Sequence, residues 1–217
     1  GLARITRVAG QPQIPAAPAV VQAAPPVEIT RLAEEPEAPS RVSVTQLALF
    51  ARCPRRYLLS ARLDWPMAPG GEGGALDLGT EVHDYLAGVR REVSAEARQL
   101  AEVFERSDLA RRARQAPLCR REMDFLVEFD GTLLHGQVDL WFDSGEGPVI
   151  VDYKTDQYLS DARRESYELQ LRLYALALEI LTGKRAAEAW LFALREGEAH
   201  PVELSSAAFD AAKAILA

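Results

Sequence analysis

Asp139, Asp152 and Lys154 have the types and the spacing to do chemistry together. Asp152 and Lys154 stand two apart in the apolar run Val149-Ile-Val-Asp-Tyr-Lys154. On an extended strand both side chains would leave on one face. Two turn signals bring further acids beside them. Asp130-Gly131 is a strong two-residue hairpin signal, and closing it sets Phe129 against Thr132 and Glu122 against Asp139. Centring the next turn, Ser144-Gly-Glu-Gly147, between Gly145 and Glu146 sets Asp139 against Asp152. Directly opposed residues share a sheet face with side chains about 5 Å apart. Glu122, Asp139 and Asp152 are thus predicted to form a row across three strands. Opposed like charges destabilise a sheet, so the row points to a bound cation. Hard oxygen ligands favour magnesium or manganese over zinc. The alternative is the charged, wet face of an antiparallel sheet. Asp152 argues against it, because its strand reads as a buried one and a buried acid needs a partner or a metal.

The elements that must hold these residues can be read from periodicity and caps. Residues 1–40 carry seven of the 13 prolines and read as an extended arm or linker, in which Val27–Leu32 could lie as a strand. Ser43-Val-Thr-Gln46 reads as a capping box, with Val42 and Leu47 placed as a hydrophobic staple. It opens a helix to about Arg52, and Pro54 starts a second short helix to about Arg62. A loop over Pro66–Gly74 precedes helices at about Leu76–Glu92 and Ser94–Arg106, with more helix to about Arg114. The period then changes, and Arg121–Phe129, Thr132–Phe142 and Pro148–Lys154 read as the strands of an antiparallel meander. A helix at about Tyr167–Leu181, closed by Gly183, comes next. Strands near Glu188–Arg195 and Val202–Leu204 and a helix from Ser206 follow.

Five segments in this order resemble the RecB-like nucleases of the PD-(D/E)XK superfamily, most closely the C-terminal nuclease domain of AddA- or RecB-type helicase–nucleases. They are Ser43-Val-Thr with Cys53-Pro-Arg-Arg-Tyr57, Gly79-Thr-Glu-Val-His83, Gly136-Gln-Val-Asp139, Asp152-Tyr-Lys154-Thr155 and Gln170-x-x-x-Tyr174. The resemblance implies an α/β (α+β) restriction-endonuclease-like core over residues 41–217, a mixed central sheet flanked by helices. It also implies a magnesium- or manganese-dependent deoxyribonuclease. His83, Asp139, Asp152 and the Tyr153 main-chain carbonyl would bind the metal, and Glu122 would contribute to a second or transient site. Lys154 would orient or activate the attacking water. Gln170, Tyr174 and Thr155 would line the site and, with Arg55 and Arg56, touch DNA. The implied partners are single-stranded DNA or DNA ends and a helicase module, in recombination and break repair in the bacterial cytoplasm and nucleoid. A catalytically weak DNA-binding or assembly module of the same complex, or a stand-alone defence nuclease, are the alternatives.

Composition narrows the classes. The 217 residues suffice for one domain with an appendage. No apolar run is long enough to span a membrane, and no basic start followed by an apolar block marks a secretory signal. Two cysteines, Cys53 and Cys119, are too few for a disulfide framework, so a reducing setting is expected. Cys53 matches the first of four cysteines that hold an iron–sulfur cluster in some relatives, but the later three are missing. No cluster is expected, and Cys53 is predicted to be a buried small residue. No Walker-type phosphate loop is present. The net charge of -7 is unusual for a DNA-binding chain, so phosphate contacts must come from local clusters. The candidates are Arg52, Arg55, Arg56 and Arg62, and Arg111, Arg112, Arg114, Arg120 and Arg121.

Overall fold

The computed structural model describes residues 41–63 and 73–216, the side chains of 73–77 apart. The predicted arm, its candidate strand and most of the Pro66–Gly74 loop lie outside the described residues. The strands are β1 (Arg41–Ser43), β2 (Cys119–Phe129), β3 (Thr132–Asp143), β4 (Pro148–Lys154), β5 (Glu188–Ala193) and β6 (Glu198–Pro201). The helices are α1 (Val44–Arg52), α2 (Pro54–Tyr57), α3 (Gly73–Ala87), α4 (Ala95–Glu105), α5 (Asp108–Gln115), α6 (Asp161–Thr182) and α7 (Ser206–Leu216). A π-helical turn, Leu58–Arg62, prolongs α2.

One mixed sheet organises these elements. β2, β3 and β4 form the antiparallel meander, β5 joins β4 in parallel, β6 closes antiparallel on β5, and β1 lies parallel to β3. The hairpin register is the predicted one. Met123 faces Val138, Arg121 faces Leu140, and Leu140 faces Val151, so no inserted residue breaks the count. One face carries α1, α6 and α7 through Leu47, Leu171, Leu173, Leu178 and Phe209. The other carries α3, α4 and α5 through Val82, Leu86, Leu100, Phe104 and Leu109.

The caps account for most boundaries. Ser43 accepts the Gln46 amide proton and Gln46 Oε1 accepts that of Ser43, which makes the capping box and starts α1. Cys53 is half-buried rather than fully buried, because its sulfur accepts the Arg56 amide proton at 3.4 Å and caps α2. α3 stops at Ala87, short of the predicted Glu92, because Gly88 takes a φ of 76° and turns the chain. Gly183, at a φ of 69°, ends α6 as expected. α6 begins six residues before the predicted Tyr167, at Asp161, after Ser160. The last short strand is Glu198–Pro201, not Val202–Leu204: the tight Gly197 turn returns the chain onto β5 at once.

The arginine-rich stretch of α5 and early β2 is structural. Arg112 grips Glu188 with two hydrogen bonds, at 2.6 and 3.0 Å, and Trp190 donates to the same carboxylate at 2.7 Å. Arg121 bonds the Leu86 carbonyl and Glu105, Arg114 also takes Glu105, and Arg111 pairs with Asp108. Four of the five arginines of this stretch are therefore in ion pairs, and Arg120 donates to the Cys119 carbonyl at 3.2 Å. The hydrogen bonds from Arg112 hold the Glu188 carboxyl below the usual carboxylate range. A carboxyl depressed in the folded state stabilises it above the unfolded pKa, and that stabilisation fades as pH falls through the folded pKa. Glu188→Gln should therefore cost about 1 kcal/mol at neutral pH. In thermal melts the gap to the parent should close on acidification below the ordinary carboxylate range.

Candidate metal and phosphate site

β3 is paired along one edge by β2 over nearly its whole length. On its other edge, β1 covers it to His135 and β4 begins at Leu140. Gly136-Gln-Val-Asp139 is the stretch left uncovered between them. A cavity of about 570 Å³ opens there, lined among others by Ser43, His83, Gln137, Asp139, Gln170 and Tyr174. Gly136 sits under the Phe125 ring, and a Cβ there would lie 3.0 Å from two of its ring carbons and 3.2 Å from Val44 Cγ2.

The same step is where the hairpin rolls over. Phe125, Val127, Leu134 and Val138 face the α1–α6 core, whereas Leu140 and Phe142 face the α3–α4 core. Residues of equal parity thus change sides between Val138 and Leu140, and between Met123 and Arg121. Glu122, at a φ of 47°, takes the left-handed conformation that the roll requires. The predicted flat row of three carboxylates is corrected here. The register numbers hold, but the Glu122–Asp139 step is a crossover between faces. It therefore meets side chains from helices on both sides of the sheet.

From one side comes His83 on α3, anchored by the fully buried Val82. Its Nδ1 lies 3.1 Å from Glu122 Oε1 and 3.5 Å from Asp139 Oδ1. The ligand atoms of His83, Glu122 and Asp139 fall within 4.8 Å of one another. The other Asp139 oxygen, Oδ2, accepts the Tyr153 amide proton at 2.9 Å. That bond stands where a β3 carbonyl would have continued the ladder. Burial opposes charge on His83, but Asp139 and then Glu122 outweigh it and raise its pKa to about 9.

From the α6 side, Asp152 is fully buried. Its Oδ2 lies 2.7 Å from Lys154 Nζ, yet neither oxygen has a donor aligned to it among the described residues. Burial raises its pKa to about 7, with Lys154 opposing the shift and Asp139 adding to it. Burial disfavours the Lys154 ammonium, but Asp152 and Asp139 overcome this and hold its pKa above the usual range. Gln170 donates to Tyr174 Oη at 2.6 Å, and both are buried, one helical turn apart. Thr155 lies against the middle of α3, its hydroxyl 3.5 Å from where a Gly79 Cβ would be.

A fully buried carboxylate without an aligned donor, a second buried carboxylate held by one amide, an acid-crowded imidazole and one lysine suit a divalent cation. The ligand-type atoms brought together are those of His83, Glu122 and Asp139, and Asp152 lies buried on the next strand without an aligned donor among the described residues. Arg55 and Arg56 are exposed on α2 and do not line the cavity. Tyr167, which touches Lys154, and Asp156, which touches Tyr167, were not among the predicted residues. The Lys154 ammonium stands 4.6 Å from the Tyr167 ring centre, and Tyr167 donates to Asp156 at 2.9 Å. Glu196, Glu198 and His200 form a second, exposed cluster of ligand-type groups on the β5–β6 hairpin.

A mixed sheet splayed at one acid, with a second acid and a lysine on the next strand, defines a class of nuclease core. The chain belongs to the PD-(D/E)XK nuclease superfamily, whose sequence profile matches residues 41–217. Among curated proteins it is 33% identical over 114 residues to an ATP-dependent helicase/nuclease subunit from Acetivibrio thermocellus, covering 43% of this chain and 9% of that protein. The protein of the same description from Ruminiclostridium cellulolyticum is 40% identical over 73 residues, 32% of this chain and 6% of that one. The matched region is thus a small part of those relatives. A crystallised protein from Eubacterium rectale, itself only provisionally described as an exonuclease, shares the fold. Its TM-score is 0.56 at 16% identity, covering 82% of this chain and 77% of that one. No described helix is long and apolar enough to cross a membrane.

Gly136→Ala tests the packing that keeps the cavity open. The added methyl must push Phe125, whose ring already meets Tyr174 edge to face at 5.9 Å. We expect a loss of about 1–3 kcal/mol in denaturant unfolding, with weaker binding of manganese by calorimetry.

Proposed function

We propose that the chain is a metal-dependent deoxyribonuclease that hydrolyses phosphodiester bonds at the cavity beside Asp139. The observation that carries this reading is the meeting of His83, Glu122 and Asp139 at the uncovered edge of β3, with the buried Asp152 paired to Lys154 on the neighbouring strand β4. His83, Asp139, Asp152 and the Tyr153 main-chain oxygen are the proposed ligands for magnesium or manganese, with Glu122 supporting a second or transient ion. Such an ion lowers the pKa of a bound water and offsets charge on the attacked phosphate.

The chain's own groups divide the remaining work. Lys154, whose ammonium form Asp152 and Asp139 favour, would orient or activate the attacking water and offset charge on the phosphate. Because Tyr174 Oη accepts from Gln170, the tyrosine proton is free to turn into the cavity. Arg52, Arg55, Arg56 and Arg62 form no ion pair among the described residues, unlike most of the later arginines. Arg55 and Arg56 are therefore proposed to hold the DNA backbone outside the cavity.

The substrate proposed is single-stranded DNA or a DNA end, delivered by a helicase module in recombination and repair. The description of the curated relatives as helicase/nuclease subunits supports that setting. The test is cleavage of labelled single- and double-stranded DNA with magnesium or manganese, beside Asp152→Ala and Lys154→Ala. We expect metal-dependent cleavage that either substitution lowers about 100-fold or more. Cleavage without metal, none by the parent, or equal cleavage by the variants would contradict the proposal. A parent that binds DNA but cleaves none would instead support a binding or assembly module.

A further inference from the structure

We infer that Tyr167 is a positioning residue for Lys154, held in place by Asp156. The inference rests on the nuclease reading above for the role of Lys154. The contact itself does not depend on that reading.

Lys154 carries its charge on a flexible four-carbon stem. Its one ion pair among the described residues is with Asp152, also a proposed metal ligand. A lysine steered by that carboxylate alone would lose its guide whenever Asp152 turns to a cation. The Tyr167 ring supplies a second guide of another kind. Its face attracts the ammonium 4.6 Å from the ring centre without occupying any N–H donor. A carboxylate in its place would neutralise the charge, and an aliphatic side chain would leave the ammonium unguided.

The ring is itself fixed. Tyr167 Oη donates to Asp156 Oδ2 at 2.9 Å, and Asp156 Oδ1 accepts from Arg163. Burial, with Asp156 adding to it against Lys154, raises the phenol pKa to about 12, so the hydroxyl keeps the proton this bond needs. Arg163 and Tyr167 lie four apart on α6, and Gln170 and Tyr174 continue the same helical stripe. The first turns of α6 thus steer the lysine, and the next two line the cavity.

Steady-state kinetics on a single-stranded oligonucleotide with manganese would test this, using the full chain. Tyr167→Leu should lower kcat about tenfold, in keeping with the strength of a desolvated cation–ring contact. KM should stay within about twofold and calorimetric manganese affinity should be unchanged, since Tyr167 touches neither. Tyr167→Phe keeps the ring and should recover most of kcat. In the metal-free protein, the Tm losses of Tyr167→Leu and Lys154→Met should be less than additive in the double variant. The inference is overturned by an unchanged kcat in Tyr167→Leu, by Phe as impaired as Leu, by a parallel fall in manganese affinity, or by additive Tm losses. If the parent cleaves no DNA the nuclease reading fails, while the metal-free cycle still decides whether the contact exists.

Discussion

Tyr153 donates its amide proton to the Asp139 carboxylate at the point where β4 would otherwise have continued its ladder with β3. Much of the site depends on that substitution of a side chain for a backbone acceptor. It satisfies a buried N–H while letting the two strands part, and an unsatisfied buried donor would cost about 1–3 kcal/mol. Because the strands part, Gly136–Asp139 keeps an open edge and the cavity forms between β1 and β4. The hairpin rolls at the same step, so a helix from each face of the sheet can reach one place.

Charge is balanced there by few groups. Asp152 is fully buried, its one ion pair among the described residues being with Lys154, and His83 stands between two acids. Burying carboxylates is costly unless they are paired and hydrogen-bonded. Here the hydrogen bonds to Asp152 are missing and the acids outnumber the cations. Such an arrangement is poor as a structural network and well suited to a metal. The arginines of α5 and β2 show the contrast. Their pairs are hydrogen-bonded, that of Arg112 with Glu188 through two bonds, and Arg112 and Arg121 tie the α3–α5 layer to the sheet.

Much of this was legible in the residues themselves. Asp130-Gly131 and Ser144–Gly147 are local turns, so the register that brings Asp139 beside Asp152 follows from chain geometry and survives in the fold. The Ser43–Gln46 cap is equally local. The roll at Glu122 was not legible, because a glutamate does not announce a positive φ and tertiary packing imposes it. β1 was missed because three residues paired only to distant β3 carry no periodicity of their own. The first turns of α6 were missed because Asp161–Ser166 is polar, and its helical state shows in contacts at Asp156 and Lys154 that no spacing rule contains. His83 reaches the acids from another helix, and only the family resemblance singled it out.

Anomalous diffraction from manganese-soaked crystals tests the central claim most directly. A single strong peak is predicted within bonding reach of His83, Asp139 and Asp152, lost in Asp139→Ala. A peak on Glu196, Glu198 and His200 alone, or one that leaves Asp152 unligated with its lysine, would contradict the account.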